Sequence, residues 1–203
     1  MNGYFSLVLH AHLPYVRHPE YEEFLEEDWL YEAITETYIP LLEMFENLTR
    51  DNIPWNITIT MSGTLVNMLN DGLLRERYLR HINKLIEFCE NEVERLSPYP
   101  DMLNVAKHNL WFNTRARQVF EEKYNKDLVG AFRKFQDQGN LEIIPVTATH
   151  GFLPVMKDYP EAVNAQVLMA KKDYIKNFGR DPKGIWLAEC AYYPGQDKFL
   201  EKH

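Results

Sequence analysis

Apolar residues along the chain fall into two kinds of stretch. Four short runs, rich in β-branched and aromatic residues, have the length of strands: "YFSLVLH" (4–10), "NITITM" (56–61), "LEIIPV" (141–146) and "GIWLAE" (184–189). None alternates cleanly between apolar and polar, the pattern of strands covered on both faces in a parallel sheet. Between them the apolar positions recur at three-four spacing. Leu30, Ile34, Tyr38, Leu41, Phe45 and Leu48 predict one helix, with Pro40 inside it to kink or split it. Tyr78, Ile82, Leu85, Cys89 and Val93 predict a second, and others follow near 104–124 and 127–138, the latter stopped by Gly139. A helix over 160–178 opens on Pro160 and closes at Gly179.

Strands that alternate with helices give an α/β fold with a parallel sheet. The span 72–138 places several helices in one connection, so a helical excursion beside the sheet is expected. After Gly195, "QDKFLEKH" reads as the opening of a further helix. Four strands are fewer than the roughly eight of a closed barrel. The chain therefore reads as the N-terminal portion of something longer, with a complete four-stranded open sheet as the alternative.

Charge narrows the function. Acidic residues outnumber basic ones by 30 to 22, for a net charge of −8. That opposes a phosphate-rich partner, so neither nucleic acid nor an anionic membrane is expected. Cys89 and Cys190 form neither a disulfide framework nor a zinc motif and are read as reduced thiols. The apolar N-terminal run is too short to span a bilayer and lacks a leader's basic flank. A soluble, cytoplasmic protein is expected.

Working groups in parallel α/β folds gather where strands end at their carboxyl side. The first run ends in His10 and His12, the third leads to Thr149 and His150, and the fourth ends in Glu189. Their surroundings, "HLPY" and "HGFLP", mix aromatic and apolar types as a carbohydrate pocket does. His10 and His12, two apart in an extended segment, share a face, a spacing that also begins some zinc sites. Each histidine could equally be a cap or packing residue, and Glu189 a strand-end carboxylate capping the next helix. Trp186, Leu187, Ala188 and Cys190 are expected to desolvate Glu189 without offering a positive partner. His18, His81, His108 and His203 are read as surface or structural.

The stretches "VLHAHLPYV" (8–16), "GNLEIIPVTATHGFLP" (139–154) and "GIWLAECAYYPG" (184–195) resemble the first three conserved regions of glycoside hydrolase family 57. "DWLYEAITETYIPLLEMF" (28–45) and "FRKFQDQGNLEI" (132–143) are similar to its α-1,4-glucan branching enzymes. The likeness implies part of a distorted, TIM-like (β/α)7 barrel over 1–203, with the helical insertion at about 72–138 and the rest of the barrel and a helical C-terminal domain outside the chain. It implies a retaining double displacement on an α-glucan that forms α-1,6 branches. Glu189 would be the nucleophile, with His10, His12 and His150 donating hydrogen bonds to the sugar, and Trp29 and Tyr192 stacking on it. No metal or organic cofactor is implied. The acid/base aspartate of the family lies in a fourth region beyond His203, so the chain alone would be inactive. The alternatives are a 4-α-glucanotransferase or α-amylase of the same family, a metal-dependent hydrolase built on the three histidines, and a non-catalytic glucan-binding domain.

Overall fold

The structure, a computed structural model, describes residues 3–203. In chain order its elements are β1 (Val8–Ala11), α1 (Glu27–Ala33), a π turn (Ile34–Tyr38), α2 (Ile39–Arg50), β2 (Ile57–Met61), α3 (Gly63–Asn70), α4 (Gly72–Arg95), α5 (Pro100–Gln118), a second π turn (Val119–Lys123), α6 (Leu128–Gln138), β3 (Leu141–Pro145), α7 (Pro160–Phe178) and α8 (Asp197–Glu201). The strands form one parallel sheet in the order β1–β2–β3. This is the α/β class that the pattern predicts.

Two compact units emerge. The first comprises residues 1–15, 53–68 and 132–203 and contains the sheet. β2 is central: its residues Ile59, Thr60 and Met61 are buried, as are Leu65, Val66, Phe132, Phe135, Ile143 and Val146, and Ile59 pairs with Ile143 across the sheet. Its largest helix, α7, turns Val163, Val167, Ala170, Tyr174 and Phe178 inward, three-four spacing that makes one apolar stripe. Tyr174 buries its hydroxyl by donating to the Ile143 carbonyl (2.7 Å). The helix ends at Gly179, whose φ of 71° is the left-handed cap that glycine adopts without a side-chain clash.

The second unit comprises residues 16–52 and 69–131. Leu30, Ile34, Ile39, Leu42, Phe45, Tyr78, Ile82 and Phe120 form its core, and Thr35 meets the buried Tyr78 hydroxyl at 3.0 Å. Asp71 caps α4 by accepting from the Leu74 N–H. The expected break at Pro40 is a π turn. Ile39 donates to the Ile34 carbonyl, five residues back, and this wider turn makes room for the proline ring at the start of α2.

Two readings need correction. The run 184–189 is not a strand: it makes one parallel bridge, Val146 with Trp186, and then coils into a 3₁₀ turn at Ala188–Cys190. Pro145, at the end of β3, has no N–H to extend a ladder. β1 is not covered on both faces, since Val8 and His10 are exposed. One helix is added to those the pattern names: residues 63–70 form α3.

Candidate active site

Register brings the first pair together. His10 on β1 is the direct neighbour of Thr60 on β2, and the Thr60 hydroxyl lies 2.6 Å from His10 Nδ1. Two residues further on, where both strands end, His12 Nδ1 lies 2.9 Å from the Ser62 hydroxyl. Ser62 also caps α3 by accepting from the Leu65 N–H at 3.3 Å. Thr60 and Ser62 are fully buried. They share one face of the strand because side chains alternate with period two.

β3 supplies the third imidazole through the turn that follows it. The His150 N–H donates to the Thr147 carbonyl, and His150 adopts a left-handed φ of 57°. Its ring stacks on His12 with centroids 3.7 Å apart and planes 9° from parallel. Its Nε2 lies 3.1 Å from Nε2 of His10. The three histidines are thus one cluster at the carboxyl edge of the sheet.

Glu189 joins them from the turn after the Val146–Trp186 bridge. Its backbone is left-handed (φ 55°, ψ 25°), as is that of Cys190 (φ 56°). Non-glycine residues held there cost about 1–3 kcal/mol each, and such strain gathers at functional sites. The turn points the carboxylate to Nδ1 of His150, 3.7 Å away. The expectation of a desolvated carboxylate is corrected: the Glu189 side chain is 69% exposed, and the group that faces it is an imidazole. Ala188 is buried instead, because the reversal at 189–190 turns the acid away from its apolar neighbours.

Burial is the largest cause lowering the pKa of His12, to about 4, and His150 and His10 act in the same direction. His10 is lowered too, by burial first and His150 second, while Glu189 opposes both. These two rings are therefore neutral near pH 7, each with one ring nitrogen as donor and one as acceptor. Among the described residues no group of three or more His, Cys, Asp or Glu side chains is placed to hold a metal ion. Nδ1 of His10 and of His12 each meet a hydroxyl, and Nε2 of His10 and of His150 meet each other.

Tyr192 lies three residues beyond Glu189, exposed, with its hydroxyl donating to Asp197 at 3.2 Å. Trp29 stands on α1 in the second unit, with its indole about half exposed. Two cavities of the first unit lie apart from the histidines. One of 550 Å³ borders Leu7, Asn56 and Asn140 at the opposite ends of the strands, and one of 190 Å³ borders Val167 and Leu200. Thr60 and Ser62 were missed by the sequence reading, although the polar members of "TITMS" fall at 58, 60 and 62, one face of a strand.

A parallel α/β fold with a carboxylate and three imidazoles at its carboxyl edge is the layout of an enzyme. The family model described as Glycosyl hydrolase family 57 matches residues 6–203, and the chain belongs to that family. It is 38% identical to the 1,4-alpha-glucan branching enzyme of Thermococcus kodakarensis, covering 100% of this chain and 31% of that protein. Among solved structures, the alpha-amylase AmyC of Thermotoga maritima superimposes with a TM-score of 0.94 at 45% identity, over 100% of this chain and 38% of the other. The GH57-type branching enzyme of Pyrococcus horikoshii gives 0.89 at 34% identity, over 96% and 36%. The chain thus spans between 31% and 38% of the length of these relatives. The fold expected from the resemblance, part of a (β/α)7 barrel, stands.

No helix among the described residues is long and apolar enough to cross a membrane.

Proposed function

We propose that this chain contributes the nucleophile and the sugar-binding histidines of a retaining site that transfers α-glucan chains, and that the complete protein is a 1,4-α-glucan branching enzyme. The observation that carries the reading is the convergence of His10, His12, His150 and Glu189 on one edge of the sheet. Residues 1–203 would form the N-terminal portion of the catalytic barrel, with the helical insertion at about 72–138. The family and the branching-enzyme relatives support the substrate class.

In this mechanism a Glu189 oxygen attacks the anomeric carbon and the bond to the departing glucan breaks. A second carboxyl group protonates the leaving oxygen. The sugar is then held as an ester on Glu189 until the 6-hydroxyl of an acceptor chain displaces it, returning its proton to the second carboxylate. That second group must stand about 5–5.5 Å from the nucleophile in a retaining site. Asp181 pairs with Lys171 (2.9 Å) and Asp197 accepts from Tyr192, so neither is offered for the role. We place it in an aspartate outside these 203 residues, and the chain alone would turn over no glucan. Trp29 and Tyr192 would stack on glucan rings, and the enzyme would work in the cytoplasm without a metal or organic cofactor.

The test is Glu189→Gln in the complete protein, with amylose as substrate. Turnover is expected to fall by about 10³-fold or more while glucan binding persists. Turnover at the original rate would overturn the assignment. The likeness to the amylase AmyC favours a second reading, hydrolysis of the same linkage. New 1,6 branch points in the products support branching, and shortened linear chains support hydrolysis.

A further inference from the structure

The hydroxyls beside the histidines carry a proton count. Thr64 donates its one hydroxyl proton to the Leu13 carbonyl at 2.9 Å. Its oxygen also lies 3.0 Å from the Ser62 oxygen, and only Ser62 has a proton left for that contact. With its own proton committed to Thr64, Ser62 is an acceptor toward everything else. It takes the Leu65 N–H at 3.3 Å and, at 2.9 Å, whatever His12 Nδ1 presents. Nδ1 of His12 must therefore bear a hydrogen. Any other assignment sets two lone pairs against each other.

At Thr60 the direction is reversed. This fully buried hydroxyl has His10 Nδ1 as its acceptor at 2.6 Å. A buried O–H left without an acceptor is costly, so the proton points to the ring and His10 Nδ1 is bare. Its hydrogen then sits on Nε2, 3.1 Å from Nε2 of His150. His150 accepts there and keeps its own hydrogen on Nδ1, the atom facing Glu189 at 3.7 Å.

We infer that Thr60 and Ser62, the latter through Thr64, are positioning residues that set opposite tautomers on the two β1 histidines. His12 is fixed with hydrogen on Nδ1, and His10 with hydrogen on Nε2. Among the described residues Nε2 of His12 has no hydrogen-bond partner. It offers a lone pair, so a sugar hydroxyl reaching it donates to His12. The sequence reading had the histidine as donor. The proton count stands on this chain's own atoms, and only the identification of the ligand as a sugar rests on the proposed function.

The test is a long-range ¹H–¹⁵N correlation spectrum of the protein labelled at histidine, at neutral pH and without glucan. His12 is expected to show a protonated, pyrrole-like Nδ1 and a bare, pyridine-like Nε2, and His10 the converse. Thr64→Val removes the acceptor of the Ser62 proton but keeps the Ser62 cap on α3. Ser62 then turns its proton to His12 Nδ1, and the two ¹⁵N signatures of His12 exchange. Thr64→Ser restores the original pattern. A bare Nδ1 on His12 in the unsubstituted protein overturns the inference, as does a folded Thr64→Val protein with unchanged His12 shifts. If Thr64→Val fails to fold, the unsubstituted spectrum decides alone. Because no glucan is present, this result and the Glu189→Gln assay can fail independently.

Discussion

Nδ1 of His150 faces Oε1 of Glu189 across 3.7 Å, and both residues reach that position through left-handed backbone. Two strained turns, one after β3 and one after the Val146–Trp186 bridge, are needed to bring them together. The His150 side chain is only 9% exposed, whereas the carboxylate stands in solvent. The ring is thus the fixed member and the acid is aimed along it. In the complete protein, on the proposed function, replacing His150 by Ala is expected to lower kcat on amylose by about 10²-fold, the scale of removing one directed group from a charge-developing site. A change smaller than threefold would show the contact to be incidental.

Acid should weaken the first unit through His12. Its pKa is about 4 in the folded protein against an ordinary value of 6.5. Between these limits the unfolded chain binds a proton that the folded chain does not, so stability rises with pH through the window and is lost on acidification. His10 is lowered too and adds with the same sign. Urea unfolding at pH 7 and pH 4.5 checks this. His12→Gln should lose less stability between the two than the parent, and an equal loss would refute the assignment.

In the second unit the Arg77 guanidinium meets Glu27 Oε1 at 2.5 Å, and both side chains are almost wholly buried. Arg77 also donates to the carbonyls of His18 and Tyr21, and Glu27 accepts from the Tyr31 hydroxyl. Arg77→Ala would strand a buried carboxylate and two carbonyls. The expected cost is about 3–5 kcal/mol, read by thermal or urea unfolding. Replacing the pair together, Arg77→Met with Glu27→Leu, should cost less than Arg77→Ala alone, because no charge is then left unpaired.

The thiols should separate by reactivity. Cys190 is exposed and Cys89 is buried. A thiol reagent such as Ellman's should label one cysteine in the native protein and the second only on unfolding. Rapid labelling of both would mean that α4 opens readily.

The sequence reveals the sheet and most helices because their signals are local. Pro160 and Gly179 bracket α7, and Gly139 and Gly179 mark their helix ends with positive φ. The cluster of His10, His12 and His150 follows from strand ends, a rule of topology. The surroundings of Glu189 do not follow. Its apolar neighbours predict a dry pocket, and a backbone reversal invisible in residue types sends the acid outward. Thr60 and Ser62 escape for a related reason: their part depends on the register between β1 and β2, a non-local pairing that no single run contains.

The π turn before Pro40 has a consequence for how this chain tolerates length changes. One extra residue in a helix rotates everything beyond it by about 100°. Ile34 and Ile39 stand five apart and both face the core because the π turn takes one residue more than an α-helical turn. Deleting one codon in 35–38 would leave them four apart, the spacing that keeps both on one face of a regular helix. The shortened helix would thus hold its register against the core and meet its cost at Pro40, whose ring would press on the carbonyl four residues back.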